Sequence, residues 1–173
     1  MLTDSVVPTR RGDLVAKEWT GAVEELYERW AARVAEYARR MNVDPSAADE
    51  VMQEAFARLL AIEPGRRPDE PIAWIFRVAH NLTMDRHCSR ARVRPVAVRA
   101  EVAPEEAIES AEIWSFVAQL PERQRAAVFL RYRADLDFAT VARILEISES
   151  GARASVFRGL ATLRSRLGED RRG

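Results

Sequence analysis

Apolar residues recur at three- and four-residue intervals along most of this chain, and no stretch alternates at the two-residue period of a strand. The pattern predicts an all-α protein: two small helical domains joined by a linker, the second containing a helix-turn-helix. Residues 1–21 read as an N-terminal arm, polar and mixed through residue 18. Thr20 is placed to cap a helix from Gly21 to Met41. Its stripe is Val23, Leu26, Tyr27, Trp30, Val34, Tyr37, Ala38 and Met41. A turn at Asn42–Asp44 follows, and Asp44 caps a second helix that opens on Pro45 and ends near Leu60. Its inward residues are Ala48, Val51, Met52, Ala55 and Leu59. The other side shows Asp49, Glu50, Gln53, Glu54 and Arg58.

Ile62 to Glu70 is a turn-rich loop carrying the Arg66-Arg67 pair. Pro71 then starts a helix whose stripe is Ile72, Ile75, Phe76, Ala79 and Leu82. The first domain spans 22–94. Residues 95–104, PVAVRAEVAP, are bounded by prolines without a helical stripe and read as a linker. The second domain spans 105–167, with a tail at 168–173. Its first helix, Glu105–Gln119, has Ile108, Ile113, Phe116 and Val117 apolar, with Leu120 at its end. Pro121 opens another helix to Arg133, placing Ala127, Val128, Leu130 and, less firmly, Phe129 inward. After a turn at Ala134–Asp137, Asp137 caps a helix with Phe138, Val141, Ala142 and Leu145 apolar. Ile147-Ser148 break it, and Ser148 caps a longer helix with Ala152, Val156, Leu160, Leu163 and Leu167 on one face. Two helices of these lengths across a short turn form either a DNA-reading helix-turn-helix or an ordinary helical hairpin.

Composition changes this picture only where it is uneven. The 27 basic and 27 acidic residues cancel, so net charge is silent about nucleic acid. Their distribution is not: residues 63–94 hold seven Arg against four acids, and residues 120–173 eleven against seven. The intervening residues 95–119 hold one Arg against five acids. Every cation but Lys17 is Arg, which suits phosphate and guanine but also follows from a GC-rich coding bias. The single cysteine, Cys88, excludes an intramolecular disulfide and a Cys-rich zinc site. No stretch has the apolar length of a membrane span or a signal-peptide core, so a cytoplasmic protein without membrane insertion is expected.

Two faces carry candidate chemistry. Opposite the Pro71 helix's stripe stand Trp74, Arg77, His80 and Asn81, continuing into Arg86, Arg90, Arg92 and Arg94. An aromatic, hydrogen-bonding groups and cations on one surface suit a nucleic-acid strand, although a core helix with a solvated charged end gives the same pattern. In the last helix the groove-facing candidates are Ser150, Gly151, Arg153, Ala154 and Phe157, with Arg158 near phosphate. The acidic face at Asp49, Glu50, Gln53 and Glu54 is either solvated or a dock for a basic partner.

ADEVMQEAFARLL, PIAWIFRVAHNLTMD, LPERQRAAVFLRY and DFATVARILEISESGARASVFRGLATLR, in that order, resemble bacterial sigma factors of the compact extracytoplasmic-function (ECF) group. The resemblance covers residues 22–94 and 105–167. It implies a protein that binds core RNA polymerase and directs promoter-specific initiation. The helix Pro45–Leu60, through Asp49, Glu50, Gln53 and Glu54, would dock on the β′ coiled coil. Residues Glu63–Arg86 would capture the −10 element as single strand, giving Arg66, Arg67, Trp74, Arg77, His80, Asn81, Arg86 and Arg90 as candidates. The helix-turn-helix would read the −35 duplex through Ser150, Arg153 and Arg158 and touch the β flap. An anti-sigma factor is an expected further partner, and no cofactor is implied.

Three positions depart from the family pattern. Leu60 stands where Trp is usual, and Gly151 and Ser155 replace a Thr and a basic residue. Those last two therefore inherit no DNA contact, though Gly151 would permit close backbone approach. Trp74 is either a stacking platform or a prop buried between helices. His80 and His87 lie two helical turns apart, too far for one metal ion even with Asp85 and Cys88 nearby. No phosphate loop, nucleophile elbow or carboxylate pair points to catalysis. Two rival readings remain. A stand-alone helix-turn-helix regulator would leave the Pro71 helix and the acidic face without a role. A helical protein using its basic helix on an anionic membrane would leave the tandem layout unexplained.

Overall fold

The computed structural model describes residues 10–41, 44–90 and 113–170, with side chains over 17–41, 44–86 and 113–168. The linker 95–104, Ile108, Arg92 and Arg94 lie outside the described residues, as do the side chains of His87, Cys88 and Arg90. Among the described residues seven α-helices follow one another: α1 (Arg10–Arg40), α2 (Pro45–Leu60), α3 (Pro71–Arg90), α4 (residues 113–118), α5 (Glu122–Val128), α6 (Phe138–Leu145) and α7 (Glu149–Asp170). A 3₁₀ turn at Pro64–Arg66 precedes α3, and α5 widens into a π-helical turn over Phe129–Arg133. No strand occurs among the described residues. No helix among them is long and apolar enough to cross a membrane.

The caps act where side-chain chemistry requires them. The Asp44 carboxylate accepts from the Ala47 N–H at 3.0 Å, and Asp137 accepts from the Thr140 N–H at 2.7 Å. The Ser148 hydroxyl accepts from the Gly151 N–H at 3.1 Å. Each satisfies a first-turn donor that the helix itself cannot. Glu146 leaves α6 in the left-handed region (φ 53°), as Asp135 does in the preceding turn (φ 55°).

Two expectations are corrected. The first helix begins at Arg10, not Gly21, so Thr20 lies inside it and part of the supposed arm is helical. The added turns have something to pack: Trp19 lies against the core, with the Arg67 guanidinium 4.6 Å from its ring centroid. Ile113 is exposed, and Trp114 takes the inward position beside it. The anticipated stripes of α2, α5 and α6 are otherwise buried, apart from a half-buried Phe138.

The two regions meet chiefly where α6 packs on α3, and the π turn after α5 also packs on α1. Arg125, Ala126, Ala127, Val128, Phe129 and Leu130 are all buried, the last five of them apolar. One helical stripe cannot do this; a helix covered on two sides can. Val128 packs with Val117, Leu120 and Leu163 in a small cluster toward α7. Phe129 faces the other way, 5.3 Å from Tyr37 and 5.6 Å from Trp114, in the main core that also holds Phe76 and Val156. The π turn is the geometric accommodation, with the Ala134 N–H donating to the Phe129 carbonyl five residues back. The two helical domains therefore share one apolar core.

Candidate nucleic-acid interface

Helix α3 begins where the Trp74 N–H donates to the Glu70 carbonyl at 3.1 Å. Ile75, Phe76 and Ala79 are fully buried, with Phe76 edge-on to Trp30 and Tyr37. That fixes the rotation of the helix and leaves Arg77 and Asn81 exposed. Trp74 is half-buried against the core. It lines an open cleft of about 320 Å³ with Pro68, Asp69, Glu70, Arg77 and Arg143.

His80 departs from the expected exposed row. Its Nδ1 lies 2.8 Å from the Tyr37 hydroxyl, and its own carbonyl accepts from the Thr83 hydroxyl at 2.6 Å. Burial pushes the imidazole below its ordinary pKa, a shift that Glu122 and Glu146 partly oppose. Burial also raises the Tyr37 phenol far above its usual range. These shifts favour a neutral imidazole beside a neutral phenol.

The remaining candidates are divided. Arg66 is exposed on the 3₁₀ turn, whereas Arg67 is half-buried over Trp19. Arg86 donates to the Glu50 carboxylate at 3.1 Å and the Ala47 carbonyl at 3.3 Å, tying α3 to α2. A residue assigned to DNA thus neutralises one assigned to polymerase. On the same α2 face Asp49 meets Arg39 at 3.3 Å and Glu54 meets Arg58 at 2.7 Å, while Gln53 is exposed. These exposed pairs contribute about 0–1 kcal/mol each, so an incoming basic surface can exchange them cheaply.

On α7, Ser150, Arg153, Phe157 and Arg158 are all exposed, Phe157 by 67%. Arg153 pairs with Glu149 at 2.5 Å, and its guanidinium lies 4.5 Å from the Phe138 ring centroid, so a residue of α6 aims it. Arg158 donates to the Ala154 carbonyl at 3.2 Å. Ser150 shares a hydrogen bond with the cap residue Ser148. The two departures from the family pattern gain structural reasons. Ser155 is buried and donates to the Gly151 carbonyl at 2.8 Å. A Cβ at Gly151 would lie 3.1 Å from the Ser148 hydroxyl oxygen that caps the helix.

Arg143 was not singled out from the sequence. A lone basic residue on the outer face of α6 gives no signal, and only the fold brings it to Glu70 at 2.5 Å, beside Trp74. Among the described residues, no group of three or more His, Cys, Asp or Glu side chains is arranged to hold a metal ion.

The helices, the loop before α3 and the helix-turn-helix define a class. Residues 26–93 match the family described as Sigma-70 region 2, and residues 110–163 match Sigma-70, region 4. More narrowly, the chain belongs to the ECF group of RNA polymerase sigma factors. It is 30% identical over 158 residues to the ECF RNA polymerase sigma factor SigL of Mycobacterium tuberculosis, covering 83% of this chain and 88% of that one. It is 23% identical over 152 residues to SigM of Bacillus subtilis, another ECF sigma factor, covering 83% of this chain and 93% of the relative. The fold is similar to that of the sigma factor RpoE in its complex with the anti-sigma factor NepR from Bartonella quintana. That likeness has a TM-score of 0.70 at 17% identity, over 84% of this chain and 96% of that one.

Proposed function

We propose that the chain binds core RNA polymerase and directs initiation at cognate promoters, region 4 reading the −35 duplex and region 2 capturing the −10 strand. The observation that carries this reading is the presence of both sigma-70 regions, in order, on one chain. Arg66, Arg77 and Asn81 are the exposed −10 candidates. Trp74, Arg67, His80 and Arg86 act from partly covered positions, and Arg90 continues the same helix. Ser150, Arg153 and Arg158 contact the −35 duplex. Asp49, Glu50, Gln53 and Glu54 meet the β′ coiled coil, and region 4 meets the β flap. An anti-sigma factor is a further partner, by analogy with RpoE and NepR. The protein works in the cytoplasm beside polymerase, without catalysis or a cofactor of its own.

A stand-alone DNA-binding regulator would not need region 2. Reconstituted run-off transcription with core polymerase is the test. Promoter-specific transcripts that require the chain are expected, and failure to bind core at low salt would overturn the reading.

A further inference from the structure

One contact between a ring and a cation lies outside the surfaces assigned above. The Arg67 guanidinium sits 4.6 Å from the Trp19 ring centroid, joining the loop before α3 to an early turn of α1. The match to region 2 begins at residue 26, so the ring comes from a part of α1 that the match does not include. Trp19 is half-buried and packs against the core. Its indole N–H is covered and has no hydrogen-bond partner among the described residues, which disfavours Trp as a pure packing residue. A Phe there would fill the space without that cost, and what it shares with Trp is a ring face for the cation.

The loop has need of such a tie. Its 3₁₀ turn, Pro64–Arg66, has no side-chain cap, and a Cβ at Gly65 would meet nothing within 4 Å, so the turn stands off the body of the protein. The chain leaves the turn at Arg67 in extended conformation (φ −60°, ψ 135°), where neighbouring side chains point to opposite sides. Arg67 turned inward onto Trp19 therefore holds Arg66 outward, and Arg66 is exposed. Three residues on, the Glu70 carbonyl accepts from the Trp74 N–H. Pro68, Asp69 and Glu70 form one wall of the cleft that holds Trp74 and Arg77, so fixing Arg67 steadies that wall as well. We propose that Trp19 and Arg67 are positioning residues for −10 strand capture: α1 holds the capture loop through this stack, and Arg66, not Arg67, faces the DNA. The role of the loop rests on the proposed function; the tie itself belongs to the free chain.

The test has two arms, both in the full-length chain. In the first, the free chain with Cys88→Ser carries a nitroxide at Gly65→Cys, where the added side chain has open space. The label is expected to move faster in Trp19→Leu and in Arg67→Ala, and as slowly as in the parent in Trp19→Phe. Equal line shapes in all four overturn the tie without reference to transcription, and Arg67→Ala alone decides if Trp19→Leu does not fold. In the second arm each chain, unlabelled, is bound to core polymerase. The probes are a single-stranded oligonucleotide with the non-template −10 sequence of a promoter this polymerase transcribes, and a duplex with only its −35 element. Trp19→Leu is expected to weaken oligonucleotide binding about five-fold or more, with Trp19→Phe within about two-fold of the parent. Binding of core polymerase and of the −35 duplex is expected to be unchanged. Loss of oligonucleotide binding in Arg67→Ala but not in Trp19→Leu overturns the proposal, because Arg67 then touches the strand itself. Parallel loss of −35 or core binding in Trp19→Leu also overturns it, the residue then serving the fold as a whole. If the parent chain binds no core polymerase, the sigma reading fails, and the label alone decides whether Trp19 holds the loop.

Discussion

The two candidate DNA helices, α3 and α7, solve opposite problems. In α3 the proposed recognition groups sit on a helix that packs into the core: Ile75, Phe76 and Ala79 are fully buried, and Trp74 and His80 are partly covered beside the exposed Arg77 and Asn81. In α7 the buried side, Ala152, Val156 and Leu163, is separate from the outward side, Ser150, Phe157 and Arg158. A helix that melts and captures a strand must hold its groups rigidly against the cost of unstacking, and burial supplies that rigidity. A helix entering a groove needs a protruding, fully solvated face. The proposed site thus shares Trp74 and His80 with the packing of α3, whereas in α7 packing and proposed reading fall on different residues.

That contrast is sharpest for two aromatics. Phe76→Ala removes a ring packed against Trp30 and Tyr37 and is expected to lower stability by about 3–5 kcal/mol. Phe157→Ala, at a residue 67% exposed, should change it by no more than about 0.5 kcal/mol. Urea unfolding of both variants decides, and comparable losses would mean that the two helices are not built differently.

Within α7 the same separation predicts opposite behaviour on its two sides. Arg153→Ala should reduce −35 discrimination by about 1–3 kcal/mol while core binding, read by gel filtration with polymerase, is unchanged. Equal loss of core binding would mean the recognition helix has been misassigned. Gly159→Ala acts from the inner side, where a Cβ would stand 2.8 Å from a Val128 methyl and 3.4 Å from Leu120. Overpacking there should reduce stability by about 1–3 kcal/mol. Gly168→Ala meets nothing within 4 Å and should instead gain a few tenths of a kcal/mol, roughly, from helix propensity.

Smaller effects follow at the helix entrance and from protonation. Ser148→Ala removes the hydroxyl that accepts from Gly151 and should reduce stability by about 1 kcal/mol, a fall of about 2–4 °C in Tm for a chain of this size. His80 makes α3, but not α7, sensitive to acid. Its pKa is depressed by burial, so the unfolded chain takes up a proton before the folded one does. Stability is therefore independent of this group above its ordinary pKa of 6.5 and declines as pH falls below that value, until the folded pKa is passed. The decline should shrink in His80→Gln, measured by denaturant titration between pH 7 and pH 5. An unchanged slope would remove His80 as its source.

Much of the architecture was legible because local chemistry and tertiary demand agreed. Pro45 and Pro71 at helix starts, Asp44, Asp137 and Ser148 as caps, and the stripe of α2 all follow from short-range rules. The start of α1 was not legible, because Trp19 gains its packing from Arg67, 48 positions away in sequence. The π turn was also hidden. Five consecutive buried apolar residues need two covering surfaces, and the second, Tyr37 on α1, is supplied by the other region. For the candidate site, spacing placed Arg77, Asn81, Ser150, Arg153 and Arg158 on outward faces, where the structure also has them. It could not show that His80 turns to Tyr37 or that Arg86 is engaged by Glu50, since both partners come from different helices.

Trp114 carries one more consequence. Its indole lies between the Arg40 cation and the Phe129 ring, against the place where the two regions join. Indole emission responds to the local field and to water. With Trp19, Trp30 and Trp74 replaced by Phe, its emission reports on that junction without any label.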